Sequence, residues 1–83
     1  MDIRVSEALW ASSMVPEGIV ENWRVADGSH VGVGDAIAAV TIEGAVHEII
    51  APRSGRLSIV ALANTMIEPG SLLARLTVAN PVT

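Results

Sequence analysis

The chain repeats itself, and the repeat limits what it can fold into. Gly18, Val20, Trp23 and Val25 recur at the same spacing as Gly55, Leu57, Val60 and Leu62. Val31, Gly34, Ile37, Ala38 and Val40 then recur as Ile67, Gly70, Leu73, Ala74 and Leu76, with the second copy one residue shorter in the intervening turn. Each copy is too short to bury its own apolar face. Two such β halves cover one another as a sandwich about a pseudo-two-fold axis. A continuous strand keeps an apolar period of two. The longer step from Val20 to Trp23, and from Leu57 to Val60, predicts a bulge or sharp bend in each half.

Turn-forming pairs punctuate the chain at short intervals: Glu17-Gly18, Asp27-Gly28, Gly34-Asp35, Glu43-Gly44, Ser54-Gly55 and Pro69-Gly70. The stretches between them predict strands near residues 2–6, 18–25, 36–42, 45–50, 55–62 and 72–78, with short pairings near 30 and 66. Asn64 stands where the first copy has Gly28, and Asn enters the left-handed region more readily than most residues. No long segment keeps a helical period, so the fold class is all-β. Residues 1–78 form one domain and residues 79–83 a frayed tail.

Eighty-three residues allow only a thin core, since a domain this small buries about 60% of the surface of its unfolded chain. That core is Val, Ile, Leu and Ala, without Phe or Tyr, which suits the tight interior of a small β fold. Cysteine is absent, which excludes thiol and disulfide chemistry. A net charge of −4 with scattered arginines argues against nucleic acid, whose phosphates need clustered cations. No apolar run approaches the roughly 20 residues of a membrane span. The first residues are interrupted by Asp2 and Arg4 and do not resemble a signal peptide. The expectation is a cytoplasmic protein. Ser12 and Ser13 lie in a loop without a motif, and the acids fall about one per turn, so no nucleophile–base–acid set is evident. His30 and His47 without cysteine do not make a metal site. Asp27, Gly28, Gly34 and Asp35 read as turn formers, because no helix N-terminus follows to hold a phosphate.

The run Glu17-Gly18…Trp23-Arg24-Val25…Asp27-Gly28…Val31…Gly34-Asp35…Val40 resembles the first half of a lipoyl domain. Glu48-Ile49…Ala51-Pro52…Gly55…Ile67…Pro69-Gly70…Leu73-Ala74-Arg75-Leu76 resembles its second half. The likeness to the lipoyl/biotinyl carrier domains runs from residue 2 to residue 78 almost without gaps. It implies a flattened β-sandwich of two four-stranded antiparallel sheets, with a modified lysine on an exposed hairpin opposite the termini. Here the tip reads Glu43-Gly44-Ala45. The flanking acid and alanine are closer to the lipoyl tip, Asp-Lys-Ala, than to the biotinyl Met-Lys-Met.

Gly44 therefore stands where the family carries its lysine, and the chain holds no lysine at all. Its five basic residues are Arg4, Arg24, Arg53, Arg56 and Arg75. Both cofactors are attached through an amide to a side-chain amine. The resemblance implies lipoate, but this chain offers no residue for it, and no cofactor is expected. A simpler reason for Gly44 lies in the turn: a two-residue type I′ hairpin needs positive φ at both central residues, and glycine supplies one without strain. That turn pairs Ile42 with Ala45, Val40 with His47 and Ala38 with Ile49, which stands His47 on the apolar face. There it is a partly buried histidine bonded to backbone rather than a ligand or pH switch.

The loop from Ala8 to Pro16 carries Trp10, Met14 and Val15, large apolar residues for a surface loop. The resemblance places this loop beside the hairpin, where partner enzymes recognise the family. Trp10 is either such a contact or a lid on the thin core, and Met14 is expected to be exposed. Trp23, aligned with Val60, is expected in the core. The leading expectation is a lysine-less, lipoyl-like domain, without catalysis of its own. It would serve as an interaction or assembly module whose candidate contacts are Trp10, Met14, Val15, Glu43 and Gly44. Its partner would be a dehydrogenase or carboxylase complex component, with a homo-oligomer also open. One alternative is a carrier of a 2-oxoacid dehydrogenase-type complex whose lysine has been replaced. The other is a structural lipoyl-like domain of a larger protein, against which the short hairpin and Met1 weigh.

Overall fold

The computed structural model describes residues 1–11, 14 and 16–78. Eight strands follow in chain order: β1 (Asp2–Arg4), β2 (Gly18–Trp23), β3 (His30–Val31), β4 (Ala36–Ile42), β5 (Ala45–Ile50), β6 (Gly55–Ile59), β7 (Met66–Ile67) and β8 (Leu72–Val78). They form two four-stranded sheets, ordered β1-β8-β6-β3 and β5-β4-β2-β7, and every pairing is antiparallel. Among the described residues a single 3₁₀ turn, Glu7–Trp10, interrupts the strands, started by the Ser6 side chain accepting the Ala8 N–H. The all-β sandwich and its short pairings at 30–31 and 66–67 agree with the sequence reading. Ser12, Ser13, Val15 and residues 79–83 lie outside the described residues, so the readings made of them end there.

The pseudo-two-fold axis is visible in the backbone bonds between the halves. Gly28 donates to the Leu57 carbonyl at 2.7 Å, and Asn64 donates to the Val20 carbonyl at 2.7 Å. Leu57 and Val20 return the bond to Ser29 and Thr65. Gly28 and Asn64 both have positive φ, 84° and 69°, so Asn64 does take the place of Gly28. Asp27 and Asp35 work as turn formers: Asp27 Oδ1 accepts the Ile59 N–H, and Asp35 Oδ2 accepts that of Gly32.

Two core clusters result, one toward each end of the sandwich. Val5, Val20, Val40, Ile67 and Leu73 belong to the first. Their counterparts Ala51, Leu57, Leu76, Val31 and Ile37 belong to the second, Ala51 matching Val5 because it exchanges backbone bonds with Gly34 and Asp35 as Val5 does with Gly70 and Ser71. Each cluster thus draws on both halves, and neither half closes a core alone. The hairpin after Ile42 lies at the first end and Val78 at the other. Gly18 and Gly55 are repeat partners for a steric reason. A Cβ on Gly18 would crowd Ile42 and the Thr41 carbonyl, and a Cβ on Gly55 would overlap the Thr77 carbonyl.

Three expectations need correction. Strands predicted over 2–6, 18–25 and 55–62 stop at Arg4, Trp23 and Ile59. The expected bulge in β2 is present, between Val20 and Asn22 against β4. In the second half the bulge expected before Val60 is absent: β6 pairs β8 without a register shift from Gly55 to Ile59, and beyond it the Val60 and Ala61 N–H groups both donate to the Leu73 carbonyl. The missing residue is therefore absorbed in the strand and not in the turn. Trp23 opposes Ala38 as Ile59 opposes Ala74, which makes Ile59 the counterpart of Trp23. Val60 and Leu62 are exposed, and Ala61 is buried in their stead. Trp23 itself is half-buried, packed against both clusters, with its indole N–H donating to the Ala61 carbonyl at 2.7 Å.

Candidate interaction site at the hairpin tip

β4 and β5 meet in a two-residue turn whose central residues, Glu43 and Gly44, have φ of 49° and 79°. These are the two positive angles a type I′ turn requires. The predicted cross-strand pairs Ile42–Ala45, Val40–His47 and Ala38–Ile49 are all present. A Cβ on Gly44 would meet nothing within 4 Å. Any side chain at this tip would project into solvent, and only its positive φ would strain the backbone.

The loop before β2 lies beside this tip. The Met14 N–H donates to Glu43 Oε2 at 3.2 Å, and the Met14 side chain is 90% exposed. Trp10 turns the other way. It is buried in the first core cluster beside Val20, Val40 and Ile42, and its indole N–H is buried without a hydrogen-bond partner among the described residues. Of the two readings of Trp10 the lid is correct, and its place among the contact candidates is withdrawn. The 3₁₀ turn Glu7–Trp10 carries the ring inward as its one buried residue. Met14, Glu43 and Gly44 remain together at the tip.

A shallow groove of about 250 Å³ runs from the tip onto the outer face of the β5-β4-β2-β7 sheet, lined by Glu17, Ile19, Thr41, Glu43, Gly44 and Met66. Ile19, Val46 and Met66 were missed in reading the sequence. All three are exposed. A signal was present: Ile19 alternates with buried Gly18 and Val20, and its repeat partner is Arg56. An outward strand position that holds Arg in one copy and Ile in the other marks a face of different use.

His47 is half-buried opposite Val40. Among the described residues its ring has no hydrogen-bond partner. His30 is exposed in β3 opposite Arg56. Among the described residues no group of three or more His, Asp or Glu side chains is placed to hold a metal ion. No helix among them is long and apolar enough to cross a membrane. The N-terminal amine donates to the Leu76 carbonyl, on the sheet opposite the hairpin.

The biotin/lipoyl family model, described as "Biotin-requiring enzyme", matches residues 10–76. No curated protein matches the chain.

Proposed function

Because the chain belongs to the biotin/lipoyl family, whose domains carry a group rather than catalyse, we propose that it is a carrier fold working unloaded. In this reading it is a protein-interaction or assembly module in a multienzyme complex, docked on a dehydrogenase or carboxylase component. One observation carries the reading. The hairpin keeps a well-formed I′ tip braced by Met14 on Glu43, while the tip residue is Gly44 and no lysine exists to bear lipoate or biotin. The residues present do not fit either cofactor, since amide attachment needs a side-chain amine. What remains at the tip is a shaped surface.

The open space around Gly44 supports a second reading: a carrier domain of a 2-oxoacid dehydrogenase-type complex whose lysine has been replaced. The two are separated by affinity capture from the native cell extract, with bound proteins identified by mass spectrometry, using the wild-type chain and Met14→Ala. Recovery of a dehydrogenase or carboxylase component, diminished by Met14→Ala, supports the module. Recovery of a lipoate ligase instead favours the replaced-lysine carrier. Equal recovery of all proteins by both chains defeats the assignment of the tip as the contact.

A further inference from the structure

The pseudo-symmetry supplies an internal control for the outer faces of the two sheets. Val46, Thr41, Ile19 and Met66 stand side by side in one row across β5, β4, β2 and β7. The equivalent row of the other sheet is Thr77, Arg56 and His30. A further position repeats the contrast: exposed Ile50 on one sheet occupies the place of Arg4 on the other. Both sheets have the same pleat and the same covered inner side, so folding alone asks nothing different of their outer sides. At these matched positions one sheet nevertheless carries cations and the other aliphatic side chains, with Met66 66%, Val46 62% and Ile19 46% exposed.

The rim of the apolar row is acidic. Glu17 and Glu43 border the groove that runs over Ile19 and Met66. Glu21 lies beside it, accepting the Thr41 hydroxyl at 2.6 Å. Glu48 is already matched by Arg24, which holds it through two contacts of 3.0 and 2.9 Å. Glu17, Glu21 and Glu43 have no cationic partner among the described residues. Two copies of this face laid on each other would bring like charges together, and like-charge juxtaposition is costly at an interface. The face suits a surface of opposite sign.

We propose that the outer face of the β5-β4-β2-β7 sheet, centred on Ile19 and Met66, docks a protein segment carrying an aliphatic or aromatic residue beside a lysine or arginine. The stem of the basic side chain lies along Ile19 and Met66 in the groove, and its charge meets Glu17 and Glu43. A long cationic side chain buries its methylenes and keeps its head in water in this way. The proposal rests on the interaction-module reading and specifies a surface for it beyond the tip.

The test selects peptides from a randomised display library on the immobilised chain, then titrates the tightest synthetic peptide into isotope-labelled chain followed by NMR. The selected peptides should pair an apolar residue with Lys or Arg, and the shifts should gather on Ile19, Thr41, Val46 and Met66. The double variant Ile19→Ser/Met66→Ser, at exposed positions, should keep its fold by circular dichroism and bind at least about tenfold more weakly. Glu17→Gln/Glu43→Gln should weaken binding and flatten its salt dependence, because glutamine still accepts the Met14 N–H. Arg56→Ser, on the opposite sheet, should change nothing. Peptides without basic residues, or shifts confined to Met14 and Gly44, overturn the proposal. So does concentration-dependent self-association through this face. A native partner still captured by the Ile19→Ser/Met66→Ser chain would overturn it while leaving the interaction-module reading intact.

Discussion

Trp10→Ala should damage the core at the hairpin end, and the size of the damage follows from two opposing features of the site. The ring is almost wholly buried among Val20, Val40 and Ile42, and truncating a buried Trp costs about 3–5 kcal/mol. Its N–H, however, is buried without a partner among the described residues, a penalty of about 1–3 kcal/mol that truncation removes. The net loss is roughly 0–4 kcal/mol, centred near 2. A domain of this length holds roughly 4–12 kcal/mol in total, so Tm should fall by about 8–16 °C. Trp10→Phe keeps most of the packing and discards the orphan N–H. It should stay within about 1 kcal/mol of wild type. Urea and thermal unfolding, followed by circular dichroism and by the fluorescence of the remaining indole, Trp23, measure both. An unchanged Tm in Trp10→Ala would refute the core placement. Equal losses in the Ala and Phe variants would refute the orphan N–H, because the indole nitrogen would then have to be making a bond that both substitutions break.

Trp23→Phe is the converse case: its N–H is bonded to the Ala61 carbonyl. It should cost about 0.5–1.5 kcal/mol, more than Trp10→Phe in the same urea titration. Gly55→Ala should be among the most damaging single substitutions, since the new methyl overlaps backbone at Thr77. A loss of about 3 kcal/mol or more is expected, read as poor folding by NMR. Gly44→Lys places an amine at the tip in open space but at positive φ. It should lower stability by only about 1–2 kcal/mol. Modification of that variant by a lipoate ligase, read by mass, would favour the replaced-lysine carrier. Arg24→Ala breaks an ion pair whose two side chains are each about half exposed. It should change unfolding free energy by less than about 1 kcal/mol, measured in a double-mutant cycle with Glu48→Ala.

Much of this protein was determined by its sequence alone. The repeat set the two-fold sandwich, because neither half has a second apolar face to close on. The glycines and Asn64 marked the turns, because few other residues accept positive φ. The Glu43-Gly44 pair marked the hairpin and with it the pairing of Val40 with His47. Periodicity states which residues share a face, and each of these features depends on neighbours close in the chain. Tertiary structure decided the rest. Whether Trp10 faced a partner or the core depended on a vacancy formed by Val20, Val40 and Ile42, which come together only when both strands are in place. The second half lacks the bulge of the first, and Val60 is exposed while Ala61 is buried, because the end of β6 is set by backbone bonds to distant Leu73. That Ile19, Val46 and Met66 form one row was invisible until β5, β4, β2 and β7 were aligned. A row across four strands is a property of register between distant segments, and no single segment encodes it.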